Sequence, residues 1–403
     1  MIARAIVLAV LGRIRDGRLT VVEGARRHEF GSGEPHAMVH VASPKALSAL
    51  LRGSRGLAES YADGHWDSPD LVAVIRVAAR NATALDRARR ALAPVREPLQ
   101  RLAPRNTPWR SRKDISAHYD LGNELFGLML DPTMMYSSAY FEREDMTLEE
   151  ASLAKLDMVC EKLDLGPDDH VLEIGTGWGG LAVHAAITRG CRVTTTTISR
   201  EQREYAQARA REAGVEHLVT VLGEDYRDLR GTYTKLASIE MIEAVGHKDF
   251  GTFFSRCDEL LEPGGAMLLQ AITIDDRAYA VERASKTSFI RTHIFPNGCL
   301  PSLEVIGRRV AADTDMTLVH MEDFGLDYAE TLRRWRANFE DDPERLAELG
   351  YDERFRRMWR MYLCYCEAGF TERRIGVAQL VLAKPSWRPA QRQRGSSRVG
   401  WPP

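Results

Sequence analysis

Apolar and polar positions along this chain fall into two regimes. From about Asp114 to Lys384, short apolar runs alternate with stretches of helical periodicity. The runs are His170 to Ile174, Arg192 to Thr197, His217 to Leu222, Leu236 to Ile239 and Ala266 to Gln270. Strands alternating with helices predict a parallel sheet wrapped by helices. Residues 1 to about 80 read differently, as a small α+β unit. Leu19 to Val22 and Ala37 to Val41 predict short strands, and Pro44 to Leu51 and Leu71 to Ala79 predict helices, with Ser43 and Ser68-Pro69 as start signals. Ala5 to Leu11 is a short apolar run with no small-residue cleavage site before Arg13 and Arg15, which predicts an amphipathic or core segment and not a signal peptide. There is no internal repeat.

Composition sharpens these divisions. A chain of 403 residues is long for one domain, and its 44% hydrophobic and 28% charged residues allow a sizeable core. The net charge of -2 excludes a general nucleic-acid binder. Its distribution matters more. Arg80, Arg87, Arg89, Arg90, Arg96, Arg101, Arg105, Arg110, Arg112 and Lys113 face only Asp86 and Glu97, and Pro94, Pro98, Pro104 and Pro108 interrupt the same stretch. We therefore expect a basic, proline-rich linker over 81–114, between an N-terminal unit (1–80) and a large domain (115–385), with a disordered basic tail over 386–403. Such segments suit an anionic membrane surface, and equally a solvated linker and tail. The six cysteines form no CxxC pair and read as reduced thiols without a metal. No run approaches the ~20 apolar residues that span a bilayer, so a lipid substrate implies a cytoplasmic protein that visits the inner face of the membrane peripherally.

The strongest single motif is His170-Val171-Leu172-Glu173-Ile174-Gly175-Thr176-Gly177-Trp178-Gly179-Gly180. A strand ends in a glycine-rich turn that opens a helix near Leu181, the place where open α/β sheets bind ligands. Gly175, Gly177 and Gly180 also satisfy GxGxxG, so spacing alone leaves a dinucleotide possible. The second strand, however, is closed by no acid; Ile198-Ser199-Arg200-Glu201-Gln202 follows it, so a ribose would be held by a hydroxyl and an amide. The third strand runs into Gly223-Glu224-Asp225-Tyr226-Arg227-Asp228, where an acid is well placed to meet an adenine amino group. A helix ending in Leu261-Glu262-Pro263-Gly264-Gly265 before an apolar strand is common in methyltransferases.

Several further segments carry a resemblance. His118 to Phe126, Leu130 to Phe141, Ile294 to Ser302 and Phe324 to Leu332 resemble, in order, the motifs of the cyclopropane-fatty-acyl-phospholipid synthase family, which includes the 10-methylene, tuberculostearic acid-forming methyltransferases. The match runs from about Ser116 to Val381. It implies an α/β, class I methyltransferase (Rossmann-like) seven-stranded sheet flanked by helices, preceded by a small α+β lipid-binding domain. It implies S-adenosylmethionine held by Tyr136, Ser137, Gly175, Gly177, Thr197, Gln202 and Asp225. It also implies a bound bicarbonate near Glu243 and Tyr328, with a backbone contact from Ile272. At two positions this chain departs from many members: Ser138 stands for Cys and Gln270 for His, and both still hydrogen-bond an anion. The implied partner is unsaturated phospholipid of an anionic membrane, and the implied assembly a homodimer.

On this reading the methyl carbon is added to an acyl double bond, and a base then takes a proton to give cyclopropane, or, after a hydride shift, a 10-methylene product. Glu243 is the best catalytic candidate. A methyltransferase for a soluble small molecule and a lipid-binding protein with a degenerate core are the rivals. Phe126, Met129, Met134 and Met135 read as packing, Trp359, Tyr362 and Tyr365 as core, and His118 as a hydrogen-bonded histidine without a catalytic role.

Overall fold

The computed structural model describes residues 2–50, 52–91, 122–284, 288–296 and 298–388. His118, Asn297, most of the expected linker and the tail from 389 onward lie outside them. Among the described residues ten strands order the fold: β1 (Asp16–Glu23), β2 (Arg26–Val41), β3 (Trp66–Asp67), β4 (His170–Ile174), β5 (Arg192–Thr196), β6 (Val219–Leu222), β7 (Tyr233–Ile239), β8 (Leu261–Ile274), β9 (Thr317–Asp323) and β10 (Ile375–Ala383).

The large sheet has seven strands in the order β6-β5-β4-β7-β8-β10-β9. The strands from β6 to β8 run parallel, whereas β10 runs antiparallel to both β8 and β9. The parallel sheet expected from the alternation is therefore mixed at one side: β10 follows the long helix Glu353–Thr371 back along the sheet, and β9 is a largely exposed edge. Chain order reverses between β4 and β7, which creates the crevice outside the strand ends where such sheets bind ligands. Continuous burial along β7, β8 and β10 reflects helices on both faces.

The N-terminal unit is a three-stranded antiparallel sheet, β1-β2-β3, covered by helices Ile2–Leu11, Lys45–Leu50, Gly53–Ala62 and Leu71–Arg80. The strand pattern had shown only the ends of a longer β1–β2 hairpin, because β2 is mostly exposed and lacks an apolar face before Ala37. Helix Leu71–Arg80 starts at Asp70, whose carboxylate accepts from Ala73 N at 2.9 Å, while Ser68 caps Asp70. The first part of the expected linker is instead helix Ala82–Ala91. Alanines dominate it and the first proline is Pro94, so nothing breaks the helix earlier. Arg80 is in an ion pair with Glu372 at 2.7 Å, and Arg87 is exposed.

The two units share one core. Tyr61 and Trp66 belong to the same buried cluster as Phe126, Trp335 and Phe370. Arg357 lies over the Tyr61 ring at 4.0 Å and donates to the carbonyls of Tyr61 and Trp66. Among the described residues no helix is long and apolar enough to cross a membrane.

Candidate active site

The glycine turn follows β4 at the reversal of strand order. Gly175 (φ +106°) and Gly177 (φ +50°) take conformations that favour glycine, and a Cβ on Gly175 would meet the Met241 side chain at 3.2 Å. Gly180 opens the helix Gly180–Arg189, and a Cβ there would stand 2.4 Å from Met135 Sδ. The turn thus lets the Met134–Ser137 segment close over it. Glu173, one residue before the strand end, accepts from Thr195 Oγ1 at 2.6 Å, and burial pushes its carboxyl up to about 8. The hydroxyl and amide singled out after β5 meet: Thr197 Oγ1 donates to Gln202 Oε1 at 2.8 Å, and Ser199 caps the helix that carries Gln202. Asp225 is buried in a bidentate pair with Arg227, at 2.8 and 2.7 Å.

Tyr136, Ser137, Gly175, Gly177, Thr197, Gln202 and Asp225 all line one cavity of about 2060 Å³. Sequence reasoning missed Lys155, which supports this wall. It is fully buried on helix Leu148–Lys162 and donates to Ser137 Oγ at 2.9 Å. Burial lowers its ammonium to about 8, against the pull of Glu240, Asp131 and Glu173. Its one signal was a lysine four residues from both Ala151 and Val159 on an apolar face.

Across the cavity, Tyr328 and Ile272 line the wall with Glu243. Tyr328 bonds not to Glu243 but to a nearer carboxyl on the same wall. Tyr328 Oη donates to Glu240 Oε2 at 2.6 Å, and Glu240 Oε1 accepts from Ser138 N at 2.9 Å and Gln270 Nε2 at 2.7 Å. Ser138 thus offers its main-chain N–H, its hydroxyl being turned to Ala139 O. Ser138 and Gln270 are fully buried behind Glu240 and do not line the cavity. The direction of the Gln270 amide is set from far away. Lys162 donates to Gln379 Oε1 at 2.8 Å, Gln379 Nε2 donates to Gln270 Oε1 at 2.9 Å, and the Gln270 amide nitrogen is left to point at Glu240.

Glu240 itself stands at φ +50°, just past the end of β7. A side chain held there costs about 1–3 kcal/mol, a strain characteristic of functional sites. Desolvation raises its carboxyl, and the three donors oppose that rise. Glu243 differs: Oε1 accepts from Ile272 N at 2.6 Å, and Oε2 is buried without a hydrogen-bond partner among the described residues. Burial, followed by the charge of Glu240, pushes Glu243 up to about 8. The two adjacent carboxyls differ in setting: three donors converge on Glu240 and favour its charged form against burial, whereas Glu243 accepts one main-chain N–H and burial favours its neutral acid. The only sequence signal for Glu240 was a second acid three residues before Glu243.

Aromatic rings enclose the space between these walls. Tyr136 Oη and Tyr362 Oη are 2.8 Å apart, Tyr136 packs on Phe126 and Trp335, and Tyr328 stacks on Phe370 at 4.4 Å. Tyr362 and Met134 belong to the buried core, as expected, and also line the cavity, as do the partly buried Tyr365 and Met135; Phe126 and Met129 are core, as expected. The cavity continues into the N-terminal unit along Val10, Leu11, Leu57, Ile75, Ala79 and Leu85. Its volume is about twice that of a pocket for one drug-sized ligand.

A glycine turn at the reversal of a seven-stranded sheet, a threonine–glutamine pair after the second strand and an acid after the third define a class I S-adenosylmethionine-dependent methyltransferase. The model of the mycolic acid cyclopropane synthetase family matches residues 107–380, and the chain belongs to that family. It is 37% identical over 367 residues to the tuberculostearic acid methyltransferase UfaA1 of Mycobacterium tuberculosis, covering 88% of this chain and 85% of that one. It is likewise 37% identical over 358 residues to the cyclopropane-fatty-acyl-phospholipid synthase of Escherichia coli K12, covering 88% and 89%. The solved structure of the mycolic acid cyclopropane synthase CmaA1, complexed with SAH and CTAB, superposes with a TM-score of 0.63 at 33% identity, covering 68% of this chain and 98% of that one.

Proposed function

We propose that this methyltransferase adds the methyl carbon of S-adenosylmethionine to the double bond of an unsaturated acyl chain in membrane phospholipid, giving a cyclopropane product. One observation carries the reading: a single cavity joins the cofactor wall to a long apolar arm that reaches into the N-terminal unit. A soluble metabolite has no use for such an arm. The equal identity to a tuberculostearic acid methyltransferase supports a second reading, in which the product is the 10-methylene chain.

The residues fit the cofactor. Gly175 and Gly177 would bring main chain close to it, Thr197 and Gln202 would offer a hydroxyl and an amide to its ribose, and Asp225 would meet its adenine. Bound S-adenosylmethionine supplies a methyl on a positively charged sulfonium, the driving force that an isolated alkene needs. The protein's share is to hold the alkene against that methyl and to keep water out. Tyr136, Tyr362 and Phe370, which line the cavity, offer rings to the cationic acyl intermediate.

The residues do not fit a bicarbonate as well. Ile272 N donates to Glu243, and Ser138 N, Gln270 and Tyr328 all donate to Glu240. The donors that a free anion would use are filled by the protein's own carboxyls, so no step is assigned to bicarbonate.

Docking belongs to the same proposal: the basic segments before and after the large domain meet the anionic cytoplasmic face of the membrane, in a protein that assembles as a homodimer. The test is release of S-adenosylhomocysteine in the presence of dioleoyl phosphatidylglycerol vesicles, distearoyl vesicles or a pool of soluble metabolites. We expect release with the unsaturated vesicles alone, with lipid heavier by one CH2, and fragmentation that separates ring from methylene. Release with the soluble pool alone would overturn the proposal.

A further inference from the structure

Resting on that function, we infer that Glu240 is the built-in base of the reaction and stands in the place of an exogenous anion. Four features of its setting carry the inference. Glu240 lines the cavity beside the cofactor wall, together with Tyr328 and Glu243. Three donors from distant parts of the chain converge on it: the Ser138 main chain, the Gln270 side chain and the Tyr328 hydroxyl. The Gln270 amide is locked as a donor by the chain through Gln379 to Lys162. The backbone is held at φ +50°, where glycine would be relaxed, so the fold keeps a glutamate at a position that suits it poorly.

An ionised carboxylate offers roughly four lone-pair sites. Oε1 uses two, for Ser138 and Gln270, whereas Oε2 uses one, for Tyr328, and keeps one for a proton. After methyl transfer the acyl chain carries a cation beside its new methyl group. One C–H bond of that methyl breaks, its electron pair closes the ring as a new C–C bond (or forms the exocyclic C=C after the hydride shift), and the proton forms an O–H bond to Glu240 Oε2. Charge balances: the acyl cation becomes neutral and the carboxylate becomes the acid. No further reactant is needed. Glu243, whose Oε2 has no hydrogen-bond partner among the described residues, sits alongside as the second carboxyl of the pair.

The experiment uses the full-length enzyme with dioleoyl phosphatidylglycerol vesicles, in buffer stripped of carbon dioxide and in the same buffer with added sodium bicarbonate. Wild-type turnover is expected to be equal in both. Dependence of the wild type on bicarbonate would overturn the inference while leaving the proposed function intact; turnover on saturated vesicles or none on unsaturated ones counts against the function itself. Glu240→Gly, which suits the backbone, is then measured with cofactor binding and thermal melting as controls for folding. Loss of turnover by roughly 10²–10⁴ without bicarbonate supports the inference. That holds whether or not bicarbonate restores activity, and restoration would add that the vacated nest takes a free anion. Should the glycine variant fail to bind cofactor, Glu240→Gln provides the same reading. Turnover of a folded Glu240 variant within tenfold of wild type, in the absence of bicarbonate, would overturn the inference.

Discussion

The two walls of the cavity are built by different means. The cofactor wall is mainly backbone: a glycine turn after β4, with the Thr197–Gln202 pair only five residues apart. The opposite wall rests on a nest around the Glu240 carboxylate, to which the Ser138 main chain and the Gln270 and Tyr328 side chains donate from three remote segments. Close approach to a ligand needs only glycines in one short stretch. Holding a buried anion requires donors from several directions, and only tertiary structure supplies those.

The contrast is open to four tests. The largest effect is expected at the nest: Glu240→Gln keeps the shape and removes the charge, and single-turnover kinetics should show the chemical step slowed by roughly 10²–10⁴ with cofactor affinity unchanged. A parallel loss of cofactor affinity would mean that the two walls are not separate in function. Next comes the turn. Gly175→Val places a branched side chain at φ +106° and against Met241, so calorimetry should give a cofactor Kd roughly 10- to 100-fold weaker. Third is the apolar arm: Ala79→Phe narrows it far from both walls, and the lipid KM should rise about tenfold, the order expected for a change of pocket volume, at constant cofactor affinity. An unchanged lipid KM would remove the arm from the substrate path.

The smallest effect concerns Glu243 and separates it from Glu240. Its carboxyl is raised to about 8, so the folded chain keeps a proton that the unfolded chain has released. The stabilisation is complete below the ordinary carboxylate range and is lost as pH rises through 8. Glu173 carries the same sign, whereas Lys155, lowered to about 8, acts on the alkaline side and in the opposite sense. Melting temperatures measured from pH 5 to 9 should fall, and Glu243→Gln should flatten the fall by a few degrees, about the size of a 1 kcal/mol change. An identical slope in the variant would show that Glu243 is already ionised at neutral pH.

This division also explains what the sequence revealed. The order β4, turn, β5, Thr197 and Gln202 was readable because each signal lies within a few residues of its neighbour. The antiparallel return of β10 was not, since an apolar strand carries no mark of its direction. Glu243 drew attention as an acid after a strand, but Glu240 is the residue that Tyr328 reaches, and no local pattern announces a hydroxyl 88 residues away. Lys155 was hidden in an apolar helix face for the same reason.

The most direct measurement uses S-adenosylmethionine with a fully deuterated methyl group and unsaturated phospholipid vesicles, followed by mass spectrometry of the acyl chains. Methyl transfer followed by proton removal at the nest requires the added carbon to arrive as CD2, whether in a ring or in a methylene. A product that retains CD3 would contradict this account, because no base would then have acted on the transferred carbon.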